Sequence, residues 1–143
     1  MIAVDTNLLV YAHRAGVRQH RRAQRAIEAA ANDPRGWGIS LPSVGEFWSV
    51  VTHPAAQGGP AKPDRAMEFV TSLVQSGGMR IWLPRPGFAA RLMQLASDLR
   101  VTGVRVFDLQ IGLTALEHGA SEIWSHDTAF ARIPGLTVID PLG

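Results

Sequence analysis

Cysteine is absent from the 143 residues. That excludes disulfides and thiolate metal sites, and it fits a reducing cytoplasm. Lysine is nearly absent too: Lys62 stands alone beside 13 arginines. A GC-rich genome produces such a bias, but arginine also binds phosphate in a planar, bidentate way that lysine does not. No apolar run approaches the roughly 20 residues that span a membrane. The first residues enter a strand-like run at once, so no signal peptide is expected and the protein reads as cytoplasmic. Long linkers, internal repeats and low-complexity segments are also missing. Residues 1–143 are therefore expected to form a single domain, large enough to bury its own core.

What is present is an alternation of short apolar runs and amphipathic stretches. Strands are expected at residues 2–4, 37–41, 80–83, 122–125 and 137–139. Helices are expected from Asp5 to about His13, at 19–31, from Ser43 to about Val51, through the segment after Asp64, at 88–100, and from Asp108 to His118. The longest loop, His53 to Asp64, holds three prolines and two glycines. Strands separated by helices indicate a mainly parallel five-stranded sheet covered on both faces, an α/β/α sandwich.

Four acids stand out, and each has a structural as well as a chemical reading. Asp5 ends the first strand and suits a helix N-cap. Glu46 follows Ser43 by three residues, as in a capping box. Asp108 opens a mostly apolar helix. Gln110, Thr114, Glu117 and His118 form a polar stripe roughly 180° to 280° around that helix from it, so Asp108 should face the apolar side and need a partner. Asp127 lies in a turn after the fourth strand. All four nevertheless follow strand carboxyl ends, which share one edge of a parallel sheet, where open α/β folds place their ligands. Converging carboxylates repel, by about 4 kcal/mol per pair at 4 Å and an effective dielectric of 20. Hard oxygen donors without cysteine favour Mg²⁺ or Mn²⁺. Setting those four of the 12 acids aside leaves eight against 14 bases. Such a basic exterior around an acidic pocket suits a polyanionic substrate.

Four short motifs carry a resemblance. Val4-Asp5-Thr6-Asn7, Ser43-Val44-Gly45-Glu46-Phe47, Phe107-Asp108-Leu109-Gln110-Ile111 and Ser125-His126-Asp127-Thr128-Ala129-Phe130 together resemble the PIN-domain ribonucleases, and more narrowly the VapC toxins of bacterial toxin–antitoxin pairs. The resemblance covers almost the whole chain. It implies a PIN-like three-layer sandwich and Mg²⁺- or Mn²⁺-dependent endonucleolytic cleavage of RNA. It also implies a small VapB-like antitoxin as partner and a homodimer.

On that reading Asp5 and Asp108 are the central metal ligands, and Asp127 completes the first metal site. Glu46 holds a second ion or orients water, and Ser125 hydrogen-bonds the water or the phosphate. Asn7 is expected to fix the backbone near Asp5 and to meet substrate, while Thr6 only begins a helix. Arg18, Arg21, Arg22 and Arg25, at i+3 and i+4 spacings, form a candidate RNA-binding face or a solvated one. His126 lies beside the site. The four tryptophans read as core. A receiver domain is excluded, since it needs a lysine after a late strand. Flap nucleases need long segments absent here. A non-catalytic PIN-like module that binds RNA or protein is the alternative function.

Overall fold

The computed structural model describes residues 1–143. Eleven elements alternate along the chain: β1 (Ile2–Val4), α1 (Thr6–His13), α2 (His20–Asn32), β2 (Trp37–Ser40), α3 (Leu41–Thr52), α4 (Pro63–Gln75), β3 (Arg80–Trp82), α5 (Phe88–Asp98), α6 (Arg105–Glu117), β4 (Glu122–Trp124) and β5 (Thr137–Ile139). The sheet has the order β3-β2-β1-β4-β5, and every pairing is parallel. This matches the expected α/β/α sandwich.

Side-chain alternation along the strands divides the core into two layers. Ile2, Val4, Trp37 and Ile39 point to one face, where they pack with Leu8, Leu9, Ile27, Phe47 and Ala66 from α1–α4. Ala3, Trp82 and Ile123 point to the other, against Leu109 and Ala115 of α6 together with Phe130 and Ile133. Gly38 on β2 lets the sheet accept the Trp82 indole, because a Cβ there would lie 2.6 Å from the Arg80 carbonyl oxygen and 2.9 Å from the Trp82 ring. Ser40 Oγ donates to the Ile111 carbonyl at 2.7 Å, which ties β2 to α6.

Two helix starts differ from expectation. α3 begins at Leu41, with Ser40 before it and Pro42 in its first turn. Proline suits that position because its missing N–H is not needed there. Ser43 is therefore inside the helix, with its hydroxyl buried and unpartnered, and Ser43–Glu46 is not a capping box. α6 begins at Arg105, so Asp108 lies in its first turn instead of capping it. Of the polar stripe of α6, Thr114 is buried at 1% exposed, and its hydroxyl returns a hydrogen bond to the Gln110 carbonyl; Gln110, Glu117 and His118 are half-buried. Of the tryptophans, Trp37 and Trp82 are core, whereas Trp48 is 37% exposed.

Candidate active site

Chain direction fixes where a site can form. From the central β1 the chain builds β2 and β3 on one side, then crosses to β4 and β5 on the other. The strand order thus reverses between β1 and β4, and open parallel sheets place a crevice outside the carboxyl ends at such a point. Asp5 immediately follows β1, and its backbone N–H donates to the Trp124 carbonyl at 2.9 Å. Ser125 and Asp127 follow β4. Glu46 comes from α3 and Asp108 from α6. Asp5, Glu46, Asp108 and Asp127 all line one cleft of about 390 Å³, with Thr6, Asn7 and Tyr11.

Asp5 is the most enclosed of the four, at 8% exposed. It does cap α1: Oδ1 accepts the Thr6 N–H at 2.8 Å. Its Oδ2 accepts the Ser125 hydroxyl at 2.7 Å and the Asn7 amide at 3.4 Å. Burial dominates these bonds and pushes the Asp5 carboxyl up to about 6, with nearby Glu46 and Asp108 adding to the rise.

Ser125 is the knot of this corner. Its oxygen donates to Asp5 and accepts from Asn7 Nδ2 at 3.3 Å and the Asp127 N–H at 3.0 Å. Asn7 Oδ1 also accepts the His126 N–H at 3.2 Å, so one asparagine stitches the β1 exit to the β4 exit. Thr6 has more than a helical role, since its hydroxyl donates to Glu46 Oε1 at 3.1 Å. His126 is turned to Asp140, with Nδ1 2.9 Å from Oδ2.

Asp108 and Asp127 share a cation the sequence reading overlooked. Arg105 Nη1 lies 3.1 Å from Asp108 Oδ2 and 3.3 Å from Asp127 Oδ2. Asp108 Oδ2 also accepts the Ala131 N–H at 3.2 Å. The partner that Asp108 was expected to need is thus supplied by Arg105 and a backbone amide. The one available signal was the i, i+3 spacing of Arg105 and Asp108, visible only once α6 is known to begin three residues earlier. Asp127 also keeps its turn role, accepting the Ala129 N–H at 2.9 Å.

Within the cleft, no three acidic or histidine side chains close on a single point. Its donors are nevertheless all hard oxygens, and Asp5 is a buried carboxylate whose charge finds no cation of its own. That chemistry fits Mg²⁺ or Mn²⁺.

The basic face on α2 stands apart from these residues. Arg18 precedes α2, and Arg21, Arg22 and Arg25 lie on it. All four are exposed and none lines the cleft. Arg22 donates to the Leu142 carbonyl at 2.9 Å, anchoring the C-terminal residues.

The PIN-domain family profile matches residues 2–136. This chain belongs to the PIN-domain family. Curated relatives place this PIN domain in the VapC branch. It is 35% identical to VapC ribonuclease Mb2897 of Mycobacterium bovis, covering 99% of this chain and 96% of that one. The same figures hold for ribonuclease VapC43 of Mycobacterium tuberculosis. Ribonuclease VapC48 of that organism is 27% identical, with 96% and 94% covered.

Solved structures agree on the fold. VapC20 of Mycobacterium tuberculosis, a sarcin–ricin loop cleaving toxin, superimposes with a TM-score of 0.68 at 16% identity, covering 91% of this chain and 92% of that one. The FitAB complex bound to an IR36 DNA fragment gives 0.69 at 19% identity, with 100% and 96% covered.

Proposed function

We propose that this PIN domain is a Mg²⁺- or Mn²⁺-dependent endoribonuclease, the toxin of a VapBC-type pair that arrests growth by cutting RNA in the cytoplasm. The observation that carries this reading is the meeting of Asp5, Glu46, Asp108 and Asp127 in one cleft at the sheet's switch point. Asp5, Asp108 and Asp127 would hold the ion, with Glu46 at a second ion or at the attacking water. The bound metal supplies a water of lowered pKa and neutralises charge on the phosphate.

The chain's own side chains set the stage for that chemistry. Ser125 and Asn7 hold Asp5 and the Asp127 loop in one relative position through four hydrogen bonds. Thr6 aims Glu46 into the cleft. Asn7 lines the cleft and would meet substrate there. Ser125, 1% exposed and bonded to Asp5, Asn7 and Asp127, positions the acids instead of touching water or phosphate as the sequence suggested. The exposed Arg18, Arg21, Arg22 and Arg25 offer a separate face to RNA. A VapB-like antitoxin is the protein partner, and the active form is a homodimer.

Purified protein is expected to cut single-stranded RNA with Mg²⁺ or Mn²⁺ and to stop in EDTA. Cleavage at full rate in EDTA would overturn the metal's role, and no cleavage with either ion would overturn the function.

A further inference from the structure

A second cavity, of about 370 Å³, lies between the end of α5, the turn before α6 and the segment after Phe130, and three of its seven lining residues are Arg100, Arg105 and Arg132. None of the seven is acidic. Arg100 and Arg132 form no salt bridge or side-chain hydrogen bond, so both guanidinium groups are uncommitted. Arg105 is shared: it lines this cavity while pairing with Asp108 and Asp127 of the acidic cleft. Ala131 is shared as well, lining the cavity while its N–H bonds Asp108.

The backbone here runs against local preference. Arg100, just past α5, has φ 54°, the only positive φ outside glycine in the chain. Helices commonly end in this conformation on glycine, which has no Cβ to strain. A side chain as large as arginine is therefore held at a position that favours none. An anion site needs planar cations and no carboxylate in its wall. This cavity has three arginines and no acidic lining residue; Arg100 and Arg132 are uncommitted, and Arg105 is held from the cleft side by Asp108 and Asp127. It abuts the acidic cleft through Arg105, so a polyanion lying across that cleft would present its next charge here.

We propose that Arg100, Arg105 and Arg132 form a pocket for an RNA backbone phosphate flanking the one that is cut. The inference rests on the ribonuclease reading and specifies where the substrate strand leaves the cleft. Arg105 links the two sites: it faces carboxylates on one side and the flanking phosphate on the other.

The test uses the full chain and a single-stranded RNA oligonucleotide that it cleaves, with binding measured in EDTA across a salt series. The variant is Arg100→Gly with Arg132→Ala; glycine at the positive φ favours folding, and thermal melting verifies it. Affinity at low salt is expected to fall about tenfold, with the log–log salt slope smaller by about 0.7, the loss of one phosphate contact on a single strand. Arg65→Ala, the loss of one arginine that lines neither cavity and is paired with Glu68, should change neither. One methylphosphonate beside the cleavage position should weaken binding to the parent protein and have no further effect on the variant.

Unchanged affinity and slope in the folded variant overturn the pocket. So does a variant that keeps RNA binding while losing a polyglutamate peptide held by the parent, which assigns the cavity to an acidic protein segment. A parent protein that cuts no RNA with Mg²⁺ or Mn²⁺ overturns the ribonuclease reading itself. A parent that cuts RNA beside an unaffected variant overturns the pocket alone.

Discussion

Asp5→Asn should reverse its effect on stability between pH 4 and pH 8. In the unfolded chain this carboxyl ionises near 3.8, and in the folded protein near 6. The folded state therefore holds the proton more tightly. Asp5 imposes no ionisation penalty below pH 3.8, and stability is lost as pH rises through about 6. The shift of about two units corresponds to about 3 kcal/mol at pH 8.

Asparagine cannot ionise, so it escapes that loss. It also caps α1 about as well as aspartate. Its amide, however, would face Ser125 Oγ, which already accepts from Asn7 and Asp127. That mismatch should cost about 1–2 kcal/mol. In EDTA the variant is thus expected to be more stable than the parent by about 1–2 kcal/mol at pH 8 and less stable by a similar amount at pH 4. Urea unfolding at both pH values measures this, as does a melting shift of roughly 2–4 °C per kcal/mol. An equal difference at both pH values would refute the burial argument for Asp5.

Three further outcomes follow from the same geometry. Ser125→Ala should destabilise by about 1–3 kcal/mol, since it leaves buried partners unmet; it should also move the pH-dependent loss of stability upward, because the Ser125 hydroxyl lowers the Asp5 pKa. Asp108→Asn should lower RNA cleavage at least 100-fold, yet change unfolding free energy by less than about 1 kcal/mol, because its Arg105 partner is 42% exposed. Replacing Arg18 and Arg21 with alanine tests the α2 face: a salt slope smaller by about 0.7 per lost contact supports RNA binding there, and an unchanged slope marks a solvated surface.

Much of the fold was legible because its signals are local and repeated. Ile2-Ala3-Val4 and Glu122-Ile123-Trp124 are short strands whose flanking helices carry clear apolar faces. Parallel order then follows from alternation, and the shared edge from parallel order. The acids were legible through that edge, even though Asp5 and Asp127 also perform the capping and turn roles that compete with function.

Helix starts were harder to read. Ser43 and Asp108 both look like caps, but the chain enters α3 at Leu41 with Pro42 and enters α6 at Arg105 without a side-chain cap. Those shifts concealed two facts about the site. Glu46 is free of a capping box and bonds Thr6. Arg105 lies one turn before Asp108 and neutralises it. The Ser125–Asn7 bond joins residues 118 apart in sequence, and local spacing carries no signal for such a pairing.

The most direct test of the central claim is cleavage of one RNA oligonucleotide as Mn²⁺ is titrated, with Mn²⁺ binding followed in parallel for the parent, Asp5→Asn and Asp108→Asn. The parent should bind Mn²⁺ and cut RNA along the same saturation curve, and both variants should lose binding and cleavage together. Full cleavage by either variant, or cleavage by the parent that is indifferent to Mn²⁺ and EDTA, would contradict the four-acid metal site.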